Sequence, residues 1–190
     1  MEKSVIRMKM VEAEEIQLLN GIHRGDSAAM RRLFDRCAPV LMGLVNRYIP
    51  DKEDAQDVLQ TSFITIFDKI DRFEYQGPGS LLAWMRRITT NASISWLRRR
   101  KRLSFASLPE DIIDESTREE PEYDALSQEV IHKAIRSLPD GYRTVLNLYV
   151  FEDYSHREIA ALLGITEGTS ASQLHRAKAM LWKKLKTNAQ

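Results

Sequence analysis

Between residues 103 and 124 the chain carries eight carboxylates (Glu110, Asp111, Asp114, Glu115, Glu119, Glu120, Glu122 and Asp124) against the single cation Arg118, with Pro109 and Pro121 among them. Like charges at this density repel one another, and each proline removes a backbone donor. Such a stretch cannot join a packed core and reads as an acidic, extended, flexible linker. It divides the 190 residues into an N-terminal domain, 1–102, and a C-terminal domain, 125–190. The formal charge is +5 over the first, −7 over the linker and +3 over the last, so the net +1 conceals two basic domains on an acidic tether.

Both domains read as helical. Residues 12–49 repeat apolar positions at helical spacing, with breaks expected at Gly25-Asp26 and near Pro39. A further helix begins at Asp51, after Pro50, and runs to about Asp71. Its stripe of Ala55, Val58, Leu59, Phe63, Ile66, Phe67 and Ile70 has the rhythm of a core-facing side. FEYQGPGS follows as a loop, with Ser80 placed to cap the next helix. In that helix Leu82, Met85, Thr89, Ala92 and Trp96 form one face. Trp84, Arg87, Asn91, Ile94 and Arg98 form another about 200° away, at roughly 100° per residue. Trp96 therefore serves the core, while Trp84 falls on a face with an arginine and an asparagine.

The C-terminal domain reads as short helices, one over 125–136 and another after Leu138-Pro139-Asp140-Gly141. Ser155 and Glu158 then form a capping box, Ile159, Leu162 and Leu163 an apolar face, and Gly164 a left-handed stop. Thr166 caps a last helix that packs through Leu174, Ala177, Leu181 and Leu185. Helix, short glycine turn, helix is a helix-turn-helix. With no alternating strand anywhere, the expected fold is all-α: two small helical domains, the second a helix-turn-helix.

Composition narrows the function classes. At 43% apolar and 29% charged residues, the chain suits a soluble globular protein. Cys37 is the only cysteine, which excludes an intrachain disulfide and a cysteine-based zinc site; beside Ala38 and Pro39 it reads as a buried small hydrophobe. The start, MEKSVIRMKMVEAEE, has no apolar segment of the signal-peptide kind, and no run approaches about eighteen apolar residues. The expectation is a cytoplasmic protein with no membrane insertion and no cofactor.

Three constellations carry chemistry. In the last helix Thr169, Ser172, Gln173 and Arg176 share one face: hydroxyls that fit a groove, an amide for adenine and a guanidinium for guanine. His175 and Lys178 flank it toward phosphates, and from Thr169 onward there are five cations and no acid. In the helix after the loop, Trp84 and Asn91 lie near one another above the run Arg98, Arg99, Arg100, Lys101 and Arg102. Exposed aromatics in a basic setting suit single-stranded nucleic acid, and with the FEYQGPGS loop they can form a pocket for unstacked bases. In DAQDVLQTSF, Asp54, Asp57 and Gln60 stand off the apolar stripe. No histidine or third carboxylate completes a metal or acid–base site there. They form either a solvated face or a docking surface for a basic protein, and neither a catalytic residue nor a metal ligand is expected.

Four motifs in order make the whole resemble a bacterial RNA polymerase sigma factor of the extracytoplasmic-function (ECF) group, in the sigma-70 family. D-A-x-D-x-x-Q-x-x-F appears from Asp54 to Phe63, and W-x-x-R-I-x-x-N from Trp84 to Asn91. L-P-x-x-x-R appears from Leu138 to Arg143, and E-I-A-x-x-L-G-I-x-x-G-T from Glu158 to Thr169. The resemblance implies that Asp54, Asp57, Gln60 and Phe63 dock on core polymerase. It implies that Phe73, Gln76, Ser80, Trp84, Arg87 and Asn91, with the cations Arg98, Arg99, Arg100 and Lys101, recognise and melt the -10 promoter element, capturing a flipped base. The helix-turn-helix would read the -35 element as duplex, and the acidic linker would thread toward the active-site and RNA-exit channel. A sigma factor is a promoter-specificity subunit without catalysis of its own, nucleoid-associated when on polymerase. An anti-sigma factor is a common partner in the family, though nothing in this chain identifies one. The chain departs from the family pattern at Ser170 and Ala171, where a basic and a β-branched residue are usual, and in its loop, commonly F-R-G-x-S. A helix-turn-helix regulator that never joins polymerase is the alternative; an enzyme using Asp54 and Asp57 lacks the further ligands it needs.

Overall fold

The computed structural model describes residues 2–100 and 128–188, with side chains over 12–100 and 129–186. The acidic linker and Lys101 lie outside them. Among the described residues all regular structure is helical: α1 (Glu2–His23), α2 (Ser27–Tyr48), α3 (Lys52–Lys69), a 3-10 turn (Ile70–Arg72), α4 (Ser80–Arg99), α5 (Gln128–Arg136), α6 (Asp140–Val150), α7 (His156–Leu163) and α8 (Glu167–Asn188). The chain divides into two compact units, Met1–Trp96 and Leu97–Gln190.

In the first unit α1 and α2 form a tight helical hairpin. Gly25 takes φ +75°, the left-handed region that glycine enters without steric cost, and Asp26 then caps α2 by accepting from the Ala28 N–H at 2.8 Å. The helices approach so closely that a Cβ on Gly21 would stand 2.7 Å from that of Ala29. Asp51 caps α3 in turn, accepting from the Glu53 and Asp54 amides. Leu18, Leu33, Leu41, Leu59, Ile66 and Met85 bring α1 to α4 onto one apolar core. Cys37 is buried in it, as expected; burial raises its thiol pKa, Arg36 lowers it, and Glu15 raises it further.

The break expected near Pro39 does not occur. α2 runs through it to Tyr48. Proline removes one bond to the carbonyl of Asp35, but both residues lie on the exposed side, where water can serve that carbonyl. On the other side Leu33, Cys37, Leu41, Leu44, Val45 and Tyr48 are buried in unbroken succession and hold the helix together.

In the second unit α6 is the central element, with seven consecutive residues from Tyr142 to Leu148 all buried, and α8 packs against it, against α7 and against α5. Arg143 is buried at 3% exposure. Its guanidinium donates to the carbonyls of Arg136 and Leu138, at 3.1 and 2.7 Å, and to the Asp140 carboxylate. The arginine of the L-P-x-x-x-R motif thus ties the end of α5 to the start of α6. The capping box forms as read: Ser155 Oγ accepts from the Glu158 amide while Glu158 accepts from the Ser155 amide. Gly164 ends α7 at φ 71°, and Thr166 Oγ1 accepts from the Thr169 amide to start α8.

Candidate nucleic-acid interface

The loop of residues 73–80 is built by local bonds. Phe73 donates its N–H to Ile70, closing the 3-10 turn, and Gly77 and Gly79 take φ +116° and +86°. Ser80 was expected to cap α4. It is instead the first residue of the helix, and its hydroxyl accepts the Gln76 N–H at 3.2 Å. The amide of Gly79, just before the helix, is taken by the carboxylate of Glu15 on α1, at 3.0 Å. Nothing in the local pattern around Glu15 signals this bond, because its partner is 64 residues away. The Tyr75 hydroxyl is buried without a hydrogen-bond partner, and its pKa is raised by lost hydration and then by the carboxylates of Glu12 and Glu15.

Beyond the loop, Trp84 lies half-buried with its ring 5.1 Å from that of Phe73, tilted 43°, and rests on the core of the first unit. Arg87 and Asn91 are exposed on the same side, and Arg98, Arg99 and Arg100 are exposed at the end of the helix. Trp96 is buried, as assigned. Ile94, assigned to the partner-facing side, is also buried, at 1% exposure. The apolar stripe of α4 is therefore wider than one row of 3,4 spacing, and of the expected outer face it leaves Arg87, Asn91 and Arg98 exposed, with Trp84 half-buried.

On α3, Asp57 and Gln60 are exposed and Asp54 is half-buried. Phe63, expected on a docking surface, is instead in the core, its ring 4.6 Å from Phe34 and 6.0 Å from Phe67. The apolar side chain that does stand beside Asp57 and Gln60 is Ile64, 63% exposed. Its signal was its place four residues after Gln60, in phase with the polar row.

On α8 the outward face is shifted by about one residue from the expected one. Gln173, expected to read a base, is buried at 3% exposure. Ser170 is buried too, its Oγ 2.9 Å from His156 Nδ1, and the His156 ring stacks on Tyr149. Ser170, Gln173, Leu174, Ala177 and Leu185 make up the inward stripe, so two of its five members are polar and sequence pattern placed one of them outside. Ala171, Ser172, His175 and Lys178 are exposed, with Thr169 and Arg176 half-buried at the margins. Among the described residues no group of three histidine, cysteine or carboxylate side chains is placed to hold a metal.

Residues 33–103 match the family model of sigma-70 region 2, and residues 128–181 that of sigma-70 region 4. The ECF RNA polymerase sigma factor SigE of Mycolicibacterium smegmatis is 33% identical over 83% of this chain, which spans 63% of that protein. The ECF RNA polymerase sigma-E factor of Salmonella typhimurium is 30% identical, over 85% of this chain and 88% of its own. The RNA polymerase sigma-H factor of Pseudomonas aeruginosa is 29% identical over 93% and 96% of the two chains. Among solved structures, the sigma factor RpoE of Bartonella quintana, crystallised with the anti-sigma factor NepR, superposes with a TM-score of 0.52 at 24% identity, covering 82% of this chain and 96% of that one. That likeness extends to the fold.

Two helical units matching region 2 and region 4 in chain order define a promoter-specificity subunit of RNA polymerase. The chain belongs to the ECF RNA polymerase sigma factors of the sigma-70 family. A regulator that reads duplex DNA alone would have no use for region 2, and that alternative is set aside.

Proposed function

We propose that the protein binds core RNA polymerase, recognises the -10 and -35 promoter elements, and opens the first while holding the second as duplex. The observation that carries this reading is the row Trp84, Arg87, Asn91 on α4. A half-exposed indole packed on Phe73 stands beside an exposed guanidinium and an exposed amide, with Arg98 to Arg100 at the helix end. An aromatic face accepts an unstacked base for about 1–3 kcal/mol, and the neighbouring groups can read its edge. The terminal arginines hold phosphates without regard to sequence.

The remaining roles follow from exposure. Asp57, Gln60 and Ile64, with Asp54 at the margin, form a mixed polar and apolar face suited to a basic helix of core polymerase. Ser172 and His175 point toward base edges of the -35 duplex, with Arg176 and Thr169 at the sides and Lys178 toward phosphate. The protein works in the cytoplasm by binding alone, without catalysis of its own, and its polymerase-facing and DNA-facing surfaces are the natural targets of an anti-sigma partner. No helix of the described residues is long and apolar enough to cross a membrane.

The test is initiation by purified protein with core polymerase on a promoter library. Binding to core and promoter-dependent transcripts are expected; failure of both would sink the proposal. Asn91→Ala should reduce open-complex formation by about tenfold, a loss of roughly 1.4 kcal/mol, while core binding is unchanged. Equal loss of both would remove Asn91 from the reading row.

A further inference from the structure

The loop that precedes the reading row is held from outside as well as from within. Its internal ties are the Phe73 ring on Trp84, the Gln76 N–H on Ser80 Oγ and the Ser80 N–H on the Gly77 carbonyl. The two hydrogen bonds move with the loop and the first turn of α4, and the contacts of Phe73, Tyr75, Leu81 and Trp84 with the core are apolar and carry no direction. The bond from the Gly79 N–H to Glu15 Oε2 does not move with the loop, because Glu15 belongs to α1, which is packed into the core through Leu18, Leu19 and Ile22.

The chemistry of this bond makes it a strong one. Gly79 immediately precedes α4, where amides have no partner within the helix and the helix dipole favours negative charge. A carboxylate there forms a charge-assisted bond and matches the dipole. Glu15 is 6% exposed, so its carboxylate cannot swing into solvent and must stay with the amide. The Tyr75 side chain, in the middle of the loop, also lies in the field of Glu12 and Glu15. Gly79 in turn sets where α4 begins, and Trp84 stands five residues on, within the first two turns.

We propose that Glu15 is a positioning residue for promoter reading: its bond to Gly79 fixes the loop and the first turn of α4 against the core, and so fixes the geometry in which Phe73 and Trp84 meet a melted -10 base. This rests on the assignment of that loop and helix to the -10 strand under the proposed function. Glu15 touches no DNA. It acts through the backbone it anchors.

Two measurements separate the anchor from the function it serves. The first is hydrogen exchange of the full free chain, compared for parent, Glu15→Ala and Glu15→Gln. The anchor predicts faster exchange in the Ala variant confined to residues 73–84, with α2 and α3 unchanged, and recovery in the Gln variant, which retains an acceptor oxygen. Unchanged exchange would overturn the inference, as would a rise throughout α2 and α3, which would make Glu15 a residue of the fold alone. The second is open-complex formation by the holoenzyme on duplex promoters with each -10 base varied. Glu15→Ala should lose about tenfold on the preferred sequence and much of its base preference, with core affinity unchanged and rescue by Glu15→Gln. Local loosening with undiminished base discrimination would overturn the link to reading. Failure of the parent itself to open any promoter would instead count against the function on which the link rests.

Discussion

Arg143 is the clearest case of a side chain whose importance lies in what it holds. It is a charge buried at 3% exposure, and it persists because three acceptors surround it: two carbonyls at the end of α5 and its approach to α6, and the Asp140 carboxylate. Removing one partner of such a set strands the others. Arg143→Ala should therefore cost about 3 kcal/mol in urea denaturation of the full chain, and Arg143→Lys most of that, because one ammonium nitrogen cannot reach acceptors that the two terminal guanidinium nitrogens serve separately. A loss within error of a surface substitution would contradict the geometry. Cys37 makes the opposite case, a titratable group held neutral. Its thiol is buried and its pKa raised, chiefly by lost hydration, so the native protein should resist thiol reagents near pH 8 and react at once in denaturant. The sign follows for stability: above the ordinary value of 9.0 the unfolded thiol ionises while the native one keeps its proton, so stability falls as pH rises past that point. Cys37→Ala should flatten that alkaline limb in a pH series of denaturation curves.

Individual helices show what pattern can and cannot deliver. Starts and stops were legible because they are local: Asp51, Ser155 with Glu158, Gly164 and Thr166 all act within four residues of themselves. The all-helical fold and the helix-turn-helix followed from these signals. Face assignment was less secure. Successive helical residues differ by about 100°, so a neighbouring helix that shifts the buried stripe by one position exchanges inside for outside. Ile94 and Gln173, outward by spacing and buried in the fold, are such cases, whereas Phe63 lies in the core as its spacing predicts, and only the family resemblance makes it a contact. Polar residues in a buried stripe, as with Ser170 and Gln173, carry no hydrophobic signal at all. The Glu15 bond to Gly79 joins residues 64 apart and leaves no periodic trace. Pro39 taught the converse lesson, that packing on one side of α2 outweighs a breaker on the other. Replacing it by alanine restores a backbone donor on an exposed face and removes a poor helix former. Pro39→Ala should stabilise the chain by about 2 kcal/mol, after allowance for the freer unfolded state. A lower thermal midpoint would show that proline sets the course of α2.

Across the whole molecule the governing feature is the order of charge, +5, −7, +3 along the chain. Each basic block carries the side chains proposed for DNA, yet the total of +1 is that of an ordinary soluble protein. Counterion release makes nonspecific affinity depend on how many phosphates the cations can neutralise, and carboxylates tethered to the same chain repel the same phosphates. A specificity subunit that bound all DNA firmly would be lost among nonspecific sites, so the acidic segment has a consequence beyond its length. Replacing its eight carboxylates with amides raises the net charge from +1 to +9 without touching a residue of either proposed DNA surface. The free chain should then bind random duplex about tenfold more tightly near 0.1 M salt, with a steeper loss of affinity on adding salt. The parent and the neutralised chain should converge at high salt, because the difference is electrostatic and has no other source. Fluorescence anisotropy with a labelled duplex across a salt series measures both quantities. Equal affinity and equal slope would mean that the acidic segment does not act on the DNA-binding units of the free protein, and its charge would then have to be explained by polymerase alone.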